Sequence, residues 1–91
     1  MAARIEIAKT AEGEFLVRVT EGASETSHQV TLRPDHVQRI AGGEVEPIEL
    51  IRRSFEFLLE REPKESILAQ FDLHVIGRYF PEYEREIRRR F

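Results

Sequence analysis

Histidine is the side chain most often used to move a proton or hold a metal near neutral pH, and this chain has three: His28, His36 and His74. A general base needs a partner within hydrogen-bond reach, and a metal site needs several ligands converging on one point. His36 follows Asp35, but neighbours on a helix point about 100° apart and do not chelate together. His28 falls on the inward phase of a strand near a sheet edge, and His74 stands beside apolar Val75, so each reads as a packing or surface histidine. The glutamates sit among arginines at helical spacing, Glu49 with Arg53 and Glu56 with Arg52 and Glu60. Such solvated opposite-charge pairs contribute only about a few tenths of a kcal/mol each. Gly42-Gly43 lacks the lysine and the serine or threonine of a phosphate-binding loop, and a helix stop accounts for it. Cysteine is absent, which excludes a disulfide scaffold and thiolate zinc sites. The expectation is a protein that is not an enzyme, with no catalytic, cofactor-binding or metal site and no evident small-molecule substrate.

The bulk composition narrows the classes further. A chain of 91 residues has room for one domain, 1–91, and one core. Charged residues make up 34% but nearly cancel, to a formal −3, so the chain is neither a polyanion nor a strongly basic nucleic-acid binder. No apolar run approaches the roughly 20 residues that span a bilayer, and the first residues lack the layout of a signal peptide. A cytoplasmic location without membrane attachment is expected.

The elements that would position any site are legible from periodicity. Ile5 and Ile7 alternate with Arg4, Glu6 and Lys9; Phe15, Val17 and Val19 alternate with Glu14, Arg18 and Thr20, with Leu16 intruding on the second face. A third run carries Val30 and Leu32. The fold class predicted is α+β: a three-stranded antiparallel β-meander, at about 4–9, 14–20 and 27–32, followed by four to five helices packed on one sheet face. Glycine-containing turns are expected at 10–13 and 21–26, the second as a mobile loop. The other sheet face, with Arg4, Glu6, Arg18, Thr20, Gln29, Thr31 and Arg33, can stand in water. Pro34 opens a short helix with Val37, Ile40 and Ala41 as its apolar stripe, and Gly42-Gly43 ends it. Pro47 opens the longest helix, about 47–62, and Pro63 closes it. A short helix is expected at 64–71 on Ile67, Leu68 and Phe71, another capped by Asp72, and a last one after Pro81 on Tyr83, Ile87 and Phe91.

The long helix has two apolar stripes where a surface helix needs one. Ile48, Ile51, Phe55, Leu58 and Leu59 share one side; Leu50 and Phe57 fall nearly opposite. The helix is therefore either sandwiched within the chain, the favoured arrangement, or it meets another subunit. Leu50 and Phe57, with the aromatic C-terminal residues Tyr79, Phe80, Tyr83 and Phe91, form the candidate interaction surface for an unidentified protein partner or a second copy of the chain. The Arg88-Arg89-Arg90 tip could touch nucleic acid or an acidic partner, but cations in a last helical turn also simply complement its dipole.

Two resemblances rest on longer stretches. The run Phe55-Glu56-Phe57-Leu58-Leu59-Glu60-Arg61-Glu62-Pro63-Lys64-Glu65-Ser66-Ile67-Leu68, then Phe71-Asp72-Leu73 and Tyr79-Phe80-Pro81-Glu82-Tyr83-Glu84, resembles a set of short bacterial proteins. That resemblance implies a bacterial origin and a stand-alone small protein, and brings no activity with it. The segment His28-Gln29-Val30-Thr31-Leu32-Arg33, a short helix, Gly42-Gly43 and a second helix near Glu49-Leu50-Ile51-Arg52 is similar to a ribbon-helix-helix DNA-binding domain. It implies a dimer in which Gln29, Thr31 and Arg33 read base edges from paired strands. A protein-interaction or regulatory module is the function expected, with the DNA-binding regulator as the alternative.

Overall fold

The computed structural model describes residues 3–42 and 45–91, with only the backbone at Ala41; Met1, Ala2, Gly43 and Glu44 lie outside the described residues, as do the expected roles of Gly43 and the Ala41 side chain. Three eight-residue antiparallel strands come first: β1 (Arg4–Ala11), β2 (Glu14–Glu21) and β3 (Ser24–Thr31). Each hairpin closes in two residues because Gly13 and Gly22 adopt positive φ, 73° and 59°. A Cβ at Gly13 would also press on the Leu32 carbonyl at 3.3 Å. The expected loop at 21–26 is thus mostly strand. Val19 pairs with Thr26 and Thr20 with Glu25, and the Thr20 hydroxyl donates to Glu25 at 3.3 Å, so polar side chains on paired strands replace the apolar alternation.

The sheet has a fourth strand. β4 (Gln70–Asp72) lies parallel to β3, giving the order β1-β2-β3-β4, a mixed sheet in place of the three-stranded meander. Ile67, Leu68 and Phe71 have the spacing of a helical face, yet the helix expected at 64–71 is only a 3-10 turn at Lys64–Ser66 followed by extended chain. The open edge of β3 decides this: Gln29 N–H donates to the Ala69 carbonyl at 2.8 Å, and Phe71 packs in register with Val30.

Helix α1 (Pro34–Ala41) starts on Pro34 and stops where Gly42 turns left-handed, φ 83°, returning its N–H to Gln38. Helix α2 (Pro47–Leu59) ends three residues before the expected boundary, and Glu62 N–H folds back onto the Leu58 carbonyl. A 3-10 turn at Leu73–Val75 runs into α3 (Ile76–Tyr79), with the Asp72 carboxylate accepting from His74 N–H at its start; α4 (Tyr83–Arg88) follows.

The two stripes of α2 are the two sides of a sandwich. Phe55 meets His28 and Phe71 on the sheet side, at ring separations of 5.5 and 6.1 Å. Phe57 meets Phe80 and Tyr83 edge-on at 5.9 and 5.4 Å. Leu50, Phe57 and Tyr83 are each 0% exposed, so these three belong to the interior and not to an interaction surface. Phe80, just after α3, and Tyr83 of α4 cover the second stripe, and burying such apolar side chains is worth about 1.5–3 kcal/mol apiece. Ile48, expected in the first stripe, is instead 40% exposed.

Candidate functional site

Packing brings together what the sequence keeps apart. At the end of the sheet, β3 leads into α1 and β4 into the 3-10 turn, and Thr31 and Asp72 are register partners there. His36, in the first turn of α1, consequently faces His74, their rings 4.7 Å apart and tilted by 39°. Asp72 Oδ1 lies 2.8 Å from His74 Nδ1 and 3.5 Å from His36 Nδ1, while Oδ2 lies 3.9 Å from the Arg33 guanidinium. Burial raises the Asp72 pKa, but the His74 ring and backbone N–H outweigh it, with His36 adding, and hold the carboxyl below its ordinary value. Both Nδ1 atoms are buried, and neither makes a hydrogen bond of acceptable geometry. Nothing local signals this convergence, because α2 and β4 separate residues 36 and 74; Asp35, the sequence neighbour, is not part of it.

His28 is committed elsewhere. It is 2% exposed, with Nδ1 2.8 Å from the Leu68 carbonyl and Nε2 2.8 Å from the Thr26 hydroxyl. A carbonyl only accepts, so Nδ1 carries the proton. Hydroxyl, imidazole and acceptor stand in the order of a nucleophile, its base and an orienting group. The ring, however, lies against Phe55 on the inner sheet face, where it ties β3 to the approach of β4.

Of the residues of the DNA-reading alternative, Gln29 and Thr31 alternate with the buried His28 and Val30 along β3, while Arg33 lies beyond the strand as the residue capping α1. Strand β3 is paired on both edges, with β2 and with β4. A ribbon-helix-helix dimer needs that strand to pair with its twin. Gln29 donates to Thr10 Oγ1 at 3.2 Å, Arg33 lies toward Asp72, and Thr31 stands between β2 and β4 in register with Glu14 and Asp72. The arginine tip is likewise engaged within the chain. Arg88 donates to the carbonyls of Arg39 and Ile40 at 2.8 and 3.1 Å, and Arg90 pairs with Glu60 at 2.7 Å.

Two exposed apolar side chains, Leu68 at 46% and Tyr79 at 67%, flank a groove of about 330 Å³. Its floor is Leu58, Ile67, Phe71 and Ile76, and Phe80 lines it from the half-buried position it takes against Phe57. Glu62 stands at this groove without an ion pair among the described residues, and burial pushes its carboxyl up from the usual value. Phe91, also exposed, lies away from the groove, 5.9 Å from the Arg53 guanidinium. No family model matches the chain, and no curated protein or solved structure is significantly similar to it. No helix among the described residues is long and apolar enough to cross a membrane.

Proposed function

We propose that this chain is a non-catalytic interaction module that receives a segment of a partner protein in the groove between the end of α2, residues 67–71 and α3. The observation that carries the reading is the pairing of an open apolar groove with one unanswered acidic group. Leu68 and Tyr79 leave apolar surface in water, and Glu62 is partly desolvated beside them with no cation to meet it among the described residues. The occupant with complementary chemistry is a peptide segment carrying a large apolar anchor next to a lysine or arginine. Anchors of that kind fill pockets, and the cation would supply the missing partner of Glu62. In support of a non-catalytic role, the one described histidine bonded to a hydroxyl, His28, is enclosed in the core.

The test is selection of a displayed random-peptide library on the purified chain. Enrichment of apolar–basic sequences, with binding abolished by Leu68→Asp or Tyr79→Asp and weakened by Glu62→Gln, supports the reading. Because Leu68 and Tyr79 are exposed, these changes leave the fold intact. A library that enriches nothing, or peptides that bind all three variants as well as the parent, overturns it.

A further inference from the structure

We infer that His36, Asp72 and His74 form a binding site for a divalent first-row transition metal, with Zn2+ as its best-suited occupant. One ring nitrogen from each histidine and one Asp72 oxygen lie within 4.8 Å of one another. The separations from Asp72 Oδ1 to the two Nδ1 atoms are 2.8 and 3.5 Å. Ligands held about 2.0–2.2 Å from one ion in tetrahedral or octahedral geometry stand about 3.0–3.5 Å apart, so the cluster is already close to the spacing an ion would impose.

The unsatisfied valences point the same way. A buried Nδ1 without a hydrogen bond is costly, and here two of them, from different elements, lie beside the same carboxylate oxygen. The 2.8 Å approach of His74 lies off the N–H axis, so it is a poor hydrogen bond but a suitable edge between two ligands. Oδ1 accepts the long 3.4 Å bond from His74 N–H and still has lone-pair capacity for the ion, and Arg33, 3.9 Å from Oδ2, stands where an outer group at a metal centre would orient the carboxylate. Two imidazoles and one carboxylate, with no sulfur, suit a borderline cation; calcium and magnesium prefer all-oxygen sites, and soft Cu(I) prefers sulfur. Three protein ligands leave a fourth position for water or an incoming group. The bound ion would staple α1 to the β4 end of the sheet. This inference is independent of the groove reading.

The experiment is calorimetric titration of the chelator-treated chain with Zn2+ alone, joined to thermal unfolding with and without the ion. Expected are one ion per chain, a rise in Tm, and perturbed His36 and His74 ring-nitrogen resonances in the unmodified chain while those of His28 stay in place. His36→Ala, His74→Ala and Asp72→Asn should each weaken binding by more than the roughly 10–100-fold that loss of a supporting outer group costs. The resonance measurement needs no variant, so the inference stands or falls even if one of these fails to fold. No saturable binding, binding undiminished in the folded variants, or shifts spread over surface carboxylates instead of these two rings would overturn it.

Discussion

The hydroxyls of Ser54 and Tyr83 meet 2.6 Å apart in the interior, joining the middle of α2 to the first turn of α4. Both residues are 0% exposed, so each is the other's means of satisfying a buried polar group. The two are not equivalent when one is removed. Ser54→Ala strands the phenol and should cost about 1–3 kcal/mol. Tyr83→Phe leaves a serine that can turn to the Leu50 carbonyl one turn back, and should cost less than about 1.5 kcal/mol. The double variant should cost less than the sum of the two, as read from urea unfolding of all four proteins in a double-mutant cycle.

The same phenol sets an alkaline limit. Burial pushes the Tyr83 pKa from 10.0 up to about 12. Between those values the unfolded chain has lost this proton and the folded chain keeps it, so stability falls as pH rises, by on the order of 2–3 kcal/mol across the window. In the Tyr79→Phe protein, where Tyr83 is the remaining tyrosine, tyrosinate absorbance should develop only near pH 12 or together with unfolding. Development around pH 10 in a folded chain would contradict the burial of this ring.

Arg88 closes the open end of another helix. The last carbonyls of α1 lack partners within the helix, and Arg88 reaches from α4 to two of them. The side chain is 57% exposed, so solvent takes much of the gain and Arg88→Ala should cost about 1 kcal/mol. The loss should appear as a lower urea midpoint and as faster amide exchange in α1.

His28 provides a side-chain clamp for the parallel pairing. His28→Phe keeps a ring beside Phe55 but leaves the Leu68 carbonyl without its imidazole donor. Destabilisation of about 1–3 kcal/mol is expected, with amide exchange accelerated at Gln29 and Phe71 and little changed in the β1–β2 hairpin.

Phe57 tests the sandwich. The Arg61 guanidinium covers one face of the ring at 3.7 Å, and Phe80 and Tyr83 close its edges. Phe57→Ala should cost about 3–5 kcal/mol, a large share of the roughly 5–15 kcal/mol available to a domain. A folded variant with an altered oligomeric state in size-exclusion chromatography would instead place this face in a subunit contact.

Local chemistry determined β1, β2, their tight turns and the punctuation of the rest, while residues 24–26 joined β3 through pairing with β2. Alternating Ile5, Ile7, Phe15, Val17 and Val19 select strands, Gly13 and Gly22 permit the tight turns, and Pro34 and Pro47 begin helices because proline fits a first turn. Those rules act between residues a few positions apart. Tertiary structure decided the remainder. The three residues of β4 are too few to show a period and become a strand only because β3 offers an open edge. Leu50 and Phe57 were legible as a second apolar face, but only the return of Phe80 and α4 made that face interior. Gln29 and Thr31 keep the outward phase of β3 and Arg33 falls just past it at the start of α1, yet the pairing of β3 on both sides leaves them no twin strand. His36, Asp72 and His74 are unremarkable in sequence, since convergence across 38 positions depends on chain closure and packing and not on any local signal.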